Sequence, residues 1–316
     1  MPKPQNLYFE RLSEHFGLVI ESRGCSVHDL SARFIREAYD TGGAVLFRGF
    51  RAQLDDFDVL TREMSHKLFS YQGGVFNIGR FARSEVPGRP SILTATGTVQ
   101  DFAIPLHGEM YYLQHPPPVL WFYCDKDAET GGATTVACAG QFYDELDEKT
   151  QEFLGQQKIK YQRHLDEAEW TRLCQTNDRQ RAELFAGSLG NDISWQHDGS
   201  MIMEYMTYPL IRDRGRTLYM NSMLPAIFAE SSNLEPGSLG NRRLPFVVRS
   251  ESGKPISETI VAALIKVQNK IEIPLRLAPG DMLVVDNTRV LHGRRSGTGS
   301  RRVVYVRFGK MRDLES

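Results

Sequence analysis

Residues 104–110 of the sequence read Ile-Pro-Leu-His-Gly-Glu-Met, and this is the first stretch that carries chemical information. In an extended strand, residues two apart point to the same face, so His107 and Glu109 are predicted to project together. His292, which follows an apolar run and a turn, is the best candidate for a third metal ligand. Two histidines and one carboxylate on one face of a metal are typical of iron(II) oxygenases. Such a triplet also arises by chance, so a purely structural role for His107 stays open here.

Short runs of strand-forming residues surround this stretch and predict the fold class. They are separated by turns, and helical segments interrupt them near 142–146, 167–174 and 258–268. Many short strands with irregular helical insertions favour an all-β barrel or double-sheet roll over an alternating βα fold. We therefore expect a mainly β protein with flanking helices. The predicted strands are Val119–Tyr123, Thr134–Cys138, Lys158–Gln162, Met201–Tyr205, Thr217–Met220, Phe246–Arg249, Met282–Val285 and Val303–Phe308.

Two helices and one strand are predicted in the first part of the chain. Ser26 and Asp29 form a capping box for the first helix, and Gly42-Gly43 ends it. The apolar run 44–47 follows as a strand buried on both faces. The buried faces are predicted to be Leu30, Phe34 and Ala38 in the first helix, and Phe57, Leu60, Met64 and Leu68 in the second.

Composition and charge exclude several classes of protein. The 316 residues carry 38 basic and 39 acidic side chains, a net charge of -1, so no overall field attracts nucleic acid or an anionic membrane. No apolar run approaches the roughly 20 residues needed to span a bilayer, and the N-terminus lacks the apolar stretch of a signal peptide. We expect one cytoplasmic domain over residues 1–316. Neither a nucleotide-binding glycine motif nor a paired-cysteine motif is present among these residues.

Four blocks of sequence, in the same order, resemble the taurine dioxygenase and clavaminate synthase superfamily (TauD/TfdA). This superfamily comprises iron(II)- and 2-oxoglutarate-dependent oxygenases. Four ordered blocks are far more specific than one triplet, and together they frame nearly the whole chain. The blocks are Ala44–Phe50, Ile104–Glu109 followed by Pro116–Cys124, Gly131–Thr134, and Pro279–Asn287 leading to His292.

The resemblance implies a double-stranded β-helix, the cupin-like jelly roll, with flanking helices. It places the iron ligands at His107, Glu109 and His292 and implies Fe(II), 2-oxoglutarate and O2 as cofactor and co-substrates. Thr134 falls on the residue that hydrogen-bonds the distal carboxylate of 2-oxoglutarate. The arginine that pairs with this carboxylate is best matched by Arg302, and Arg301 remains the alternative. An arginine suits this role because its planar guanidinium can bind a carboxylate through two hydrogen bonds.

The glutamate at position 109 also bears on the substrate. Aspartate is more usual in the superfamily, so Glu109 makes the chain resemble the branch of clavaminate synthase and the amino-acid β-hydroxylases. This branch implies hydroxylation of an amino acid, or of a small metabolite derived from one, in natural product biosynthesis. The substrate could be free or held on a carrier protein, and a homo-oligomer is possible. Desaturation, cyclisation or oxidative decarboxylation at the same site, or a non-catalytic metal-binding cupin-like protein, are the alternatives.

Candidate substrate residues lie in two places. The irregular segment 70–105 directly precedes the predicted metal strand and is a candidate lid, because long irregular segments in compact domains are usually functional or mobile. Its polar and aromatic side chains could line a pocket, although ordinary loop packing explains each one equally well. The resemblance adds an arginine near the C-terminus that can bind an anionic group of the substrate. The candidates are Phe76, Asn77, Arg80 and Arg307.

Overall fold

The helices and strands of the protein come from a computed structural model that describes residues 6–14, 16–69, 83–95, 102–213, 216–232, 246–298 and 302–313. The helices are α1 Ala32–Gly42, α2 Leu54–Met64, α3 Ala139–Asp144, α4 Glu148–Gln156, α5 Glu167–Cys174, α6 Arg179–Ser188, α7 Leu224–Ser232 and α8 Glu258–Ile271. The strands of the first half are β1 Leu7–Arg11, β2 Leu18–Ser22, β3 Ala44–Arg48, β4 Ser65–Phe69, β5 Glu85–Val86, β6 Arg89–Thr94, β7 Ile104–His107, β8 Val119–Lys126, β9 Thr130–Gly131 and β10 Thr134–Cys138. Those of the second half are β11 Ile159–Leu165, β12 Asp192–Trp195, β13 Met201–Thr207, β14 Leu210–Asp213, β15 Arg216–Met220, β16 Phe246–Ser250, β17 Ile273–Leu275, β18 Met282–Asp286, β19 Val290–Arg294, β20 Gly297–Thr298 and β21 Val303–Met311.

Two sheets pack face to face and hold the main core between them. The larger sheet has the order β1-β2-β3-β18-β8-β21-β6-β5, with β4 also paired to β21, and the smaller one has the order β17-β10-β19-β7. Phe122 of the larger sheet and Val136 of the smaller sheet belong to one buried hydrophobic cluster. This is the double-sheet jelly roll that the strand pattern and the family resemblance predict.

Strand β3 of the larger sheet is apolar at successive positions because both of its faces are buried. Ala44 and Leu46 point into the cluster between the sheets, whereas Val45 and Phe47 point into a second cluster shared with the first two helices. Each fully buried large apolar side chain contributes about 1.5–3 kcal/mol to folding. The prediction of a strand buried on both faces is therefore confirmed.

The N-terminal helices differ from the sequence prediction at their ends. The capping box of Ser26 and Asp29 belongs to a separate 3₁₀ turn over Val27–Asp29, and Ser31 caps α1 instead. The second helix ends at Met64, so Leu68 lies on β4 and not on a helix. Pairing of β4 with β21 explains this change, because the ladder to a distant strand outweighs a local helical pattern.

The segment 70–105 is less irregular than its composition suggests. Residues 84–95 include the antiparallel strands β5 and β6, and β6 extends the larger sheet beside β21. Residues 70–82 and 96–101 lie outside the described residues, so the lid remains a prediction. Among the described residues, no helix is both long enough and apolar enough to cross a membrane.

Candidate metal centre

The two histidines predicted as metal ligands face each other across neighbouring strands. His107 at the end of β7 is directly opposite His292 on β19 in the antiparallel register. Residues directly opposite in such a pair share one face of the sheet, and the two imidazole centroids lie 4.3 Å apart. The ring of Phe122 from the larger sheet lies 5.5 Å from that of His292. Both imidazoles therefore point into the space between the two sheets.

The glutamate reaches the same space, but not by strand alternation. Strand β7 ends at His107 and Glu109 lies in a turn, in which Met110 takes a left-handed φ of 58°. Glu109 Oε2 lies 3.6 Å from Nε2 of His292, and the three potential ligand atoms lie within 4.8 Å of one another. The structure brings the three side chains together, whereas the expectation that His107 and Glu109 share one strand is wrong.

The glycine between the two ligands makes this turn possible. A Cβ atom at Gly108 would overlap the ring of Tyr111. The hydroxyl of Tyr111 in turn donates a hydrogen bond to the carbonyl oxygen of Asn287. The turn that carries Glu109 is therefore packed directly against the turn that precedes His292.

The side chain of Asn287 forms hydrogen bonds with both the N–H and the carbonyl oxygen of Glu109, a role that the sequence did not predict. Its Oδ1 accepts a hydrogen bond from Glu109 N–H at 2.8 Å, while its Nδ2 donates to Glu109 O at 3.1 Å and to Pro117 O at 2.7 Å. The residue is 1% exposed. An asparagine after an apolar strand is also the ordinary signal for a turn, so nothing in the sequence separates this role from turn formation.

Side chains from helix α8 and from the loop before α7 form hydrogen bonds with the unpaired edge of β7. Strand β7 pairs with β19 on one side only among the described elements. On the other side, Leu106 N–H donates to Oε1 of Gln268 at 2.7 Å, and Leu106 O accepts a bond from the hydroxyl of Ser222. These contacts hold the residue next to His107 where a neighbouring strand would otherwise be required.

The hydrogen bonds of the imidazoles leave nitrogen lone pairs for a metal. Nδ1 of His107 lies 2.8 Å from Pro105 O, which can only accept, so this nitrogen carries the proton and Nε2 is the acceptor. Burial and then the neighbouring His292 lower the pKa of His107 to about 3, so its ring is neutral at physiological pH. Nδ1 of His292 is buried and has no hydrogen-bond partner among the described residues.

The carboxylate completes a donor set that fits iron(II). Burial raises the pKa of Glu109, but Arg83 and the two histidines more than offset this effect, and the pKa lies below its usual range. Arg83 Nη2 donates to Glu109 Oε2 at 2.9 Å. Two imidazole nitrogens and one carboxylate are the ligands that mononuclear non-haem iron prefers, and Glu109 and His292 are only 3% and 5% exposed.

The residues expected to bind 2-oxoglutarate lie together near the metal ligands. Thr134 is two residues from Val136, which pairs with His292, so Thr134 and His292 share the inner face of the smaller sheet. Nη2 of Arg302 donates to the Thr134 hydroxyl at 2.7 Å, and both residues are buried. Burial lowers the pKa of the Arg302 guanidinium, and Cys124 and Asp127 oppose this effect. Arg301, the alternative partner, lies outside the described residues.

Arg307 is not brought to this site. On β21 it pairs with Trp121, and its side chain lies on the face of the larger sheet that points away from His292. There its guanidinium contacts Asp58 Oδ1 at 2.6 Å and Thr61 Oγ1 at 2.7 Å. It is fully buried and serves to attach α2 to the sheet. The other substrate candidates, Phe76, Asn77 and Arg80, lie outside the described residues.

The sequence is similar to a known protein family and to individual proteins of other organisms. The family model "Taurine catabolism dioxygenase TauD, TfdA family" matches residues 9–307. A clavaminate synthase-like protein of Arabidopsis thaliana is 30% identical over 83% of this chain and 80% of its own length. The dapdiamide synthesis protein DdaC of Enterobacter agglomerans is 26% identical over 85% of this chain and 83% of its own length.

Solved structures show the same fold. A structure titled PvcB, an Fe, alpha-ketoglutarate dependent oxygenase from an isonitrile synthetic pathway, is 15% identical with a TM-score of 0.58, over 98% of this chain and 93% of that one. A taurine dioxygenase from Burkholderia xenovorans is 13% identical with a TM-score of 0.55, over 98% of this chain and 90% of that one. The jelly-roll fold expected from the sequence is confirmed.

Proposed function

The chain belongs to the TauD, TfdA family of iron(II)- and 2-oxoglutarate-dependent dioxygenases, and we propose that His107, Glu109 and His292 bind its iron. The observation that carries this assignment is the convergence of these three ligand atoms within 4.8 Å. Iron, when bound together with 2-oxoglutarate and O2, supplies the oxidising chemistry, which is coupled to the decarboxylation of 2-oxoglutarate to succinate. The chain itself orients the ligands through Asn287 and Pro105 and excludes water through the two apolar sheet faces.

Thr134 and Arg302 are proposed to bind the distal carboxylate of 2-oxoglutarate. The pair is buried and prealigned by its own hydrogen bond at 2.7 Å. A guanidinium and a hydroxyl that lie side by side can both donate hydrogen bonds to one carboxylate. A metal-binding protein without oxygenase activity would have no need of such a pair, so this feature argues against the cupin-like alternative.

The proposed reaction is hydroxylation of an amino acid, or of a small metabolite derived from one, in a biosynthetic pathway. Glu109 supports this proposal through the resemblance to the amino-acid β-hydroxylase branch. The relative DdaC is a dapdiamide synthesis protein, and PvcB belongs to an isonitrile synthetic pathway. We further propose a single cytoplasmic domain that acts on a free or carrier-bound substrate. Desaturation, cyclisation and oxidative decarboxylation are the alternative outcomes, and product analysis by mass spectrometry distinguishes them.

Anaerobic titration of the metal-free protein with Fe(II) and then 2-oxoglutarate tests the proposal. We expect the weak visible charge-transfer band of the iron chelate in the wild-type protein and its loss in His292→Ala. Arg302→Leu should bind iron normally but require far more 2-oxoglutarate. Iron binding without a band in the wild-type protein would contradict the co-substrate assignment. A normal band in His292→Ala would contradict the ligand assignment.

A further inference from the structure

Arg83 is a largely buried arginine that contacts one of the three proposed metal ligands. Its side chain is 11% exposed, and its Nη2 donates a hydrogen bond to Glu109 Oε2 at 2.9 Å. The same carboxylate oxygen lies 3.6 Å from Nε2 of His292. One oxygen of Glu109 therefore faces both the guanidinium of Arg83 and the imidazole of His292.

The larger sheet holds Arg83, whereas Glu109 belongs to the turn that follows β7 of the smaller sheet. Ser84, the next residue, exchanges two hydrogen bonds of 2.9 Å with Thr94 of β6, one to the Thr94 hydroxyl and one from the Thr94 N–H. The guanidinium carbon of Arg83 lies 5.4 Å from the ring centroid of Phe308, which is fully buried on β21. The ion pair therefore restrains the carboxylate of Glu109 from a second part of the fold.

The carboxylate of Glu109 has two ways to bind a divalent metal. Carboxylates bind metals through one oxygen or through both, and each oxygen carries two lone pairs. A charged N–H donor on Oε2 draws electrons from this oxygen and makes the two oxygens unequal as metal ligands. Rotation of the carboxylate to present both oxygens to the metal would also strain or break this hydrogen bond. The contact with Arg83 therefore favours binding through one oxygen.

Binding through one oxygen matters because the proposed reaction uses every position around the metal. Three protein ligands leave three positions of an octahedral metal open. The 2-oxo acid group of 2-oxoglutarate offers two oxygens side by side, and O2 needs one further position. A second oxygen from Glu109 would compete with one of these co-substrates.

We propose that Arg83 is a positioning residue that restricts Glu109 to one-oxygen coordination and thereby keeps open the positions for 2-oxoglutarate and O2. This inference rests on the proposed function and assigns a role to a residue that is not itself a ligand. A guanidinium suits this role because its donors have a fixed planar geometry, which sets the direction of the hydrogen bond as well as the charge.

Counting the water molecules on bound Mn(II) tests the proposal without turnover. Mn(II) takes the place of iron, and its EPR lines broaden when water labelled with the magnetic oxygen isotope is a ligand. We expect about three waters on Mn(II) in the wild-type protein, one for each open position, and about one after 2-oxoglutarate is added. Arg83→Met, which keeps an apolar stem beside Phe308 but has no donor, should carry about two waters. It should also require about 10-fold more 2-oxoglutarate, as for other groups that orient metal ligands.

Two further variants separate this role from packing. Arg83→Lys keeps a charged donor and should regain part of the 2-oxoglutarate affinity that Arg83→Met loses. Arg89→Gln is the matched control, because Arg89 lies on β6 but forms an ion pair with the exposed Asp55, and it should behave like the wild-type protein. Arg83→Gln replaces Arg83→Met, with the same expectation, if circular dichroism shows that Arg83→Met does not fold.

Three results would overturn the proposal. The first is a count of about two waters in the wild-type protein, because Glu109 would then bind through both oxygens in spite of Arg83. The second is a folded Arg83→Met protein with the wild-type number of waters, whatever its metal affinity, which would leave Arg83 a role in packing only. The third is an unchanged affinity of this variant for 2-oxoglutarate. Failure of the wild-type protein to bind Mn(II) or 2-oxoglutarate would instead contradict the proposed function.

Discussion

The side chain of Asn287 is predicted to control the metal affinity of the protein although it is not a ligand. It lies in the turn that precedes His292, and its buried amide forms three hydrogen bonds, two to the backbone of Glu109 and one to Pro117 O. Asn287→Ala removes all three and leaves two backbone carbonyls and one N–H without these bonds. Asn287→Asp keeps the volume and the acceptor for Glu109 N–H but replaces the donor to the two carbonyls.

The magnitude follows from the buried hydrogen bonds. Each contributes a net of about 1 kcal/mol, so Asn287→Ala is expected to lower the free energy of unfolding by about 3 kcal/mol. The metal affinity should fall by about 10- to 100-fold, as for other groups that orient metal ligands. Asn287→Asp should lose a similar part of the metal affinity, because an ionised carboxylate facing two carbonyl oxygens repels them.

Two measurements separate stability from ligand orientation. Urea unfolding of the metal-free protein gives the free energy of unfolding, and calorimetric titration with Mn(II) at low temperature gives the affinity of the folded fraction. Asn191→Ala is the control, because Asn191 is another buried asparagine, and it directly precedes β12, which belongs to a different sheet from the strands of His107 and His292. An Asn287→Ala protein that loses stability but keeps its metal affinity would refute the reasoning, and the orientation of Glu109 would then be due to Gly108 and Tyr111.

Three further outcomes are expected. Arg302→Leu should raise the concentration of 2-oxoglutarate needed for half-saturation by at least about 100-fold, since it removes a bidentate charged contact. Titration with Mn(II) should show unchanged metal binding, and an unchanged affinity for 2-oxoglutarate would contradict the assignment. Arg307→Leu should lower the free energy of unfolding in urea by about 3 kcal/mol, because it removes three hydrogen bonds of the buried guanidinium, to Asp58 O, Thr61 Oγ1 and Pro90 O. The metal and 2-oxoglutarate affinities should stay as they are. Burial raises the pKa of Cys124 to about 12, so its thiolate is scarce below about pH 11. At pH 8 we expect Cys124 not to react with a disulfide reagent in the native protein and to react fully after unfolding, as followed by peptide mass spectrometry. Rapid labelling of Cys124 in the native protein would contradict this.

Local patterns were sufficient for much of the architecture. Strand β10 and helix α5 match the predicted ranges residue for residue, and β3 is buried on both faces as its apolar run indicates. Helices α4 and α6 were not predicted. They carry few buried apolar residues, and each begins at an aspartate cap that resembles an ordinary turn residue.

The candidate metal ligands could also be chosen from the sequence, because the choice depends on residue type and on order along the chain. His107, Glu109 and His292 belong to blocks that the family shares, and the structure brings them together. The expected local structure was different, however, because Glu109 lies in a turn and not on the strand that carries His107.

Only the tertiary structure decided which residues support the site. The bond from Glu109 N–H to Asn287 joins residues 178 positions apart, and Arg83 reaches Glu109 across 26 positions. Arg307 lies on the opposite face because β21 pairs with β8 in one register among those possible. Strand periodicity encodes the alternation of side chains within one segment, but the choice of partner and register belongs to the packing of distant segments.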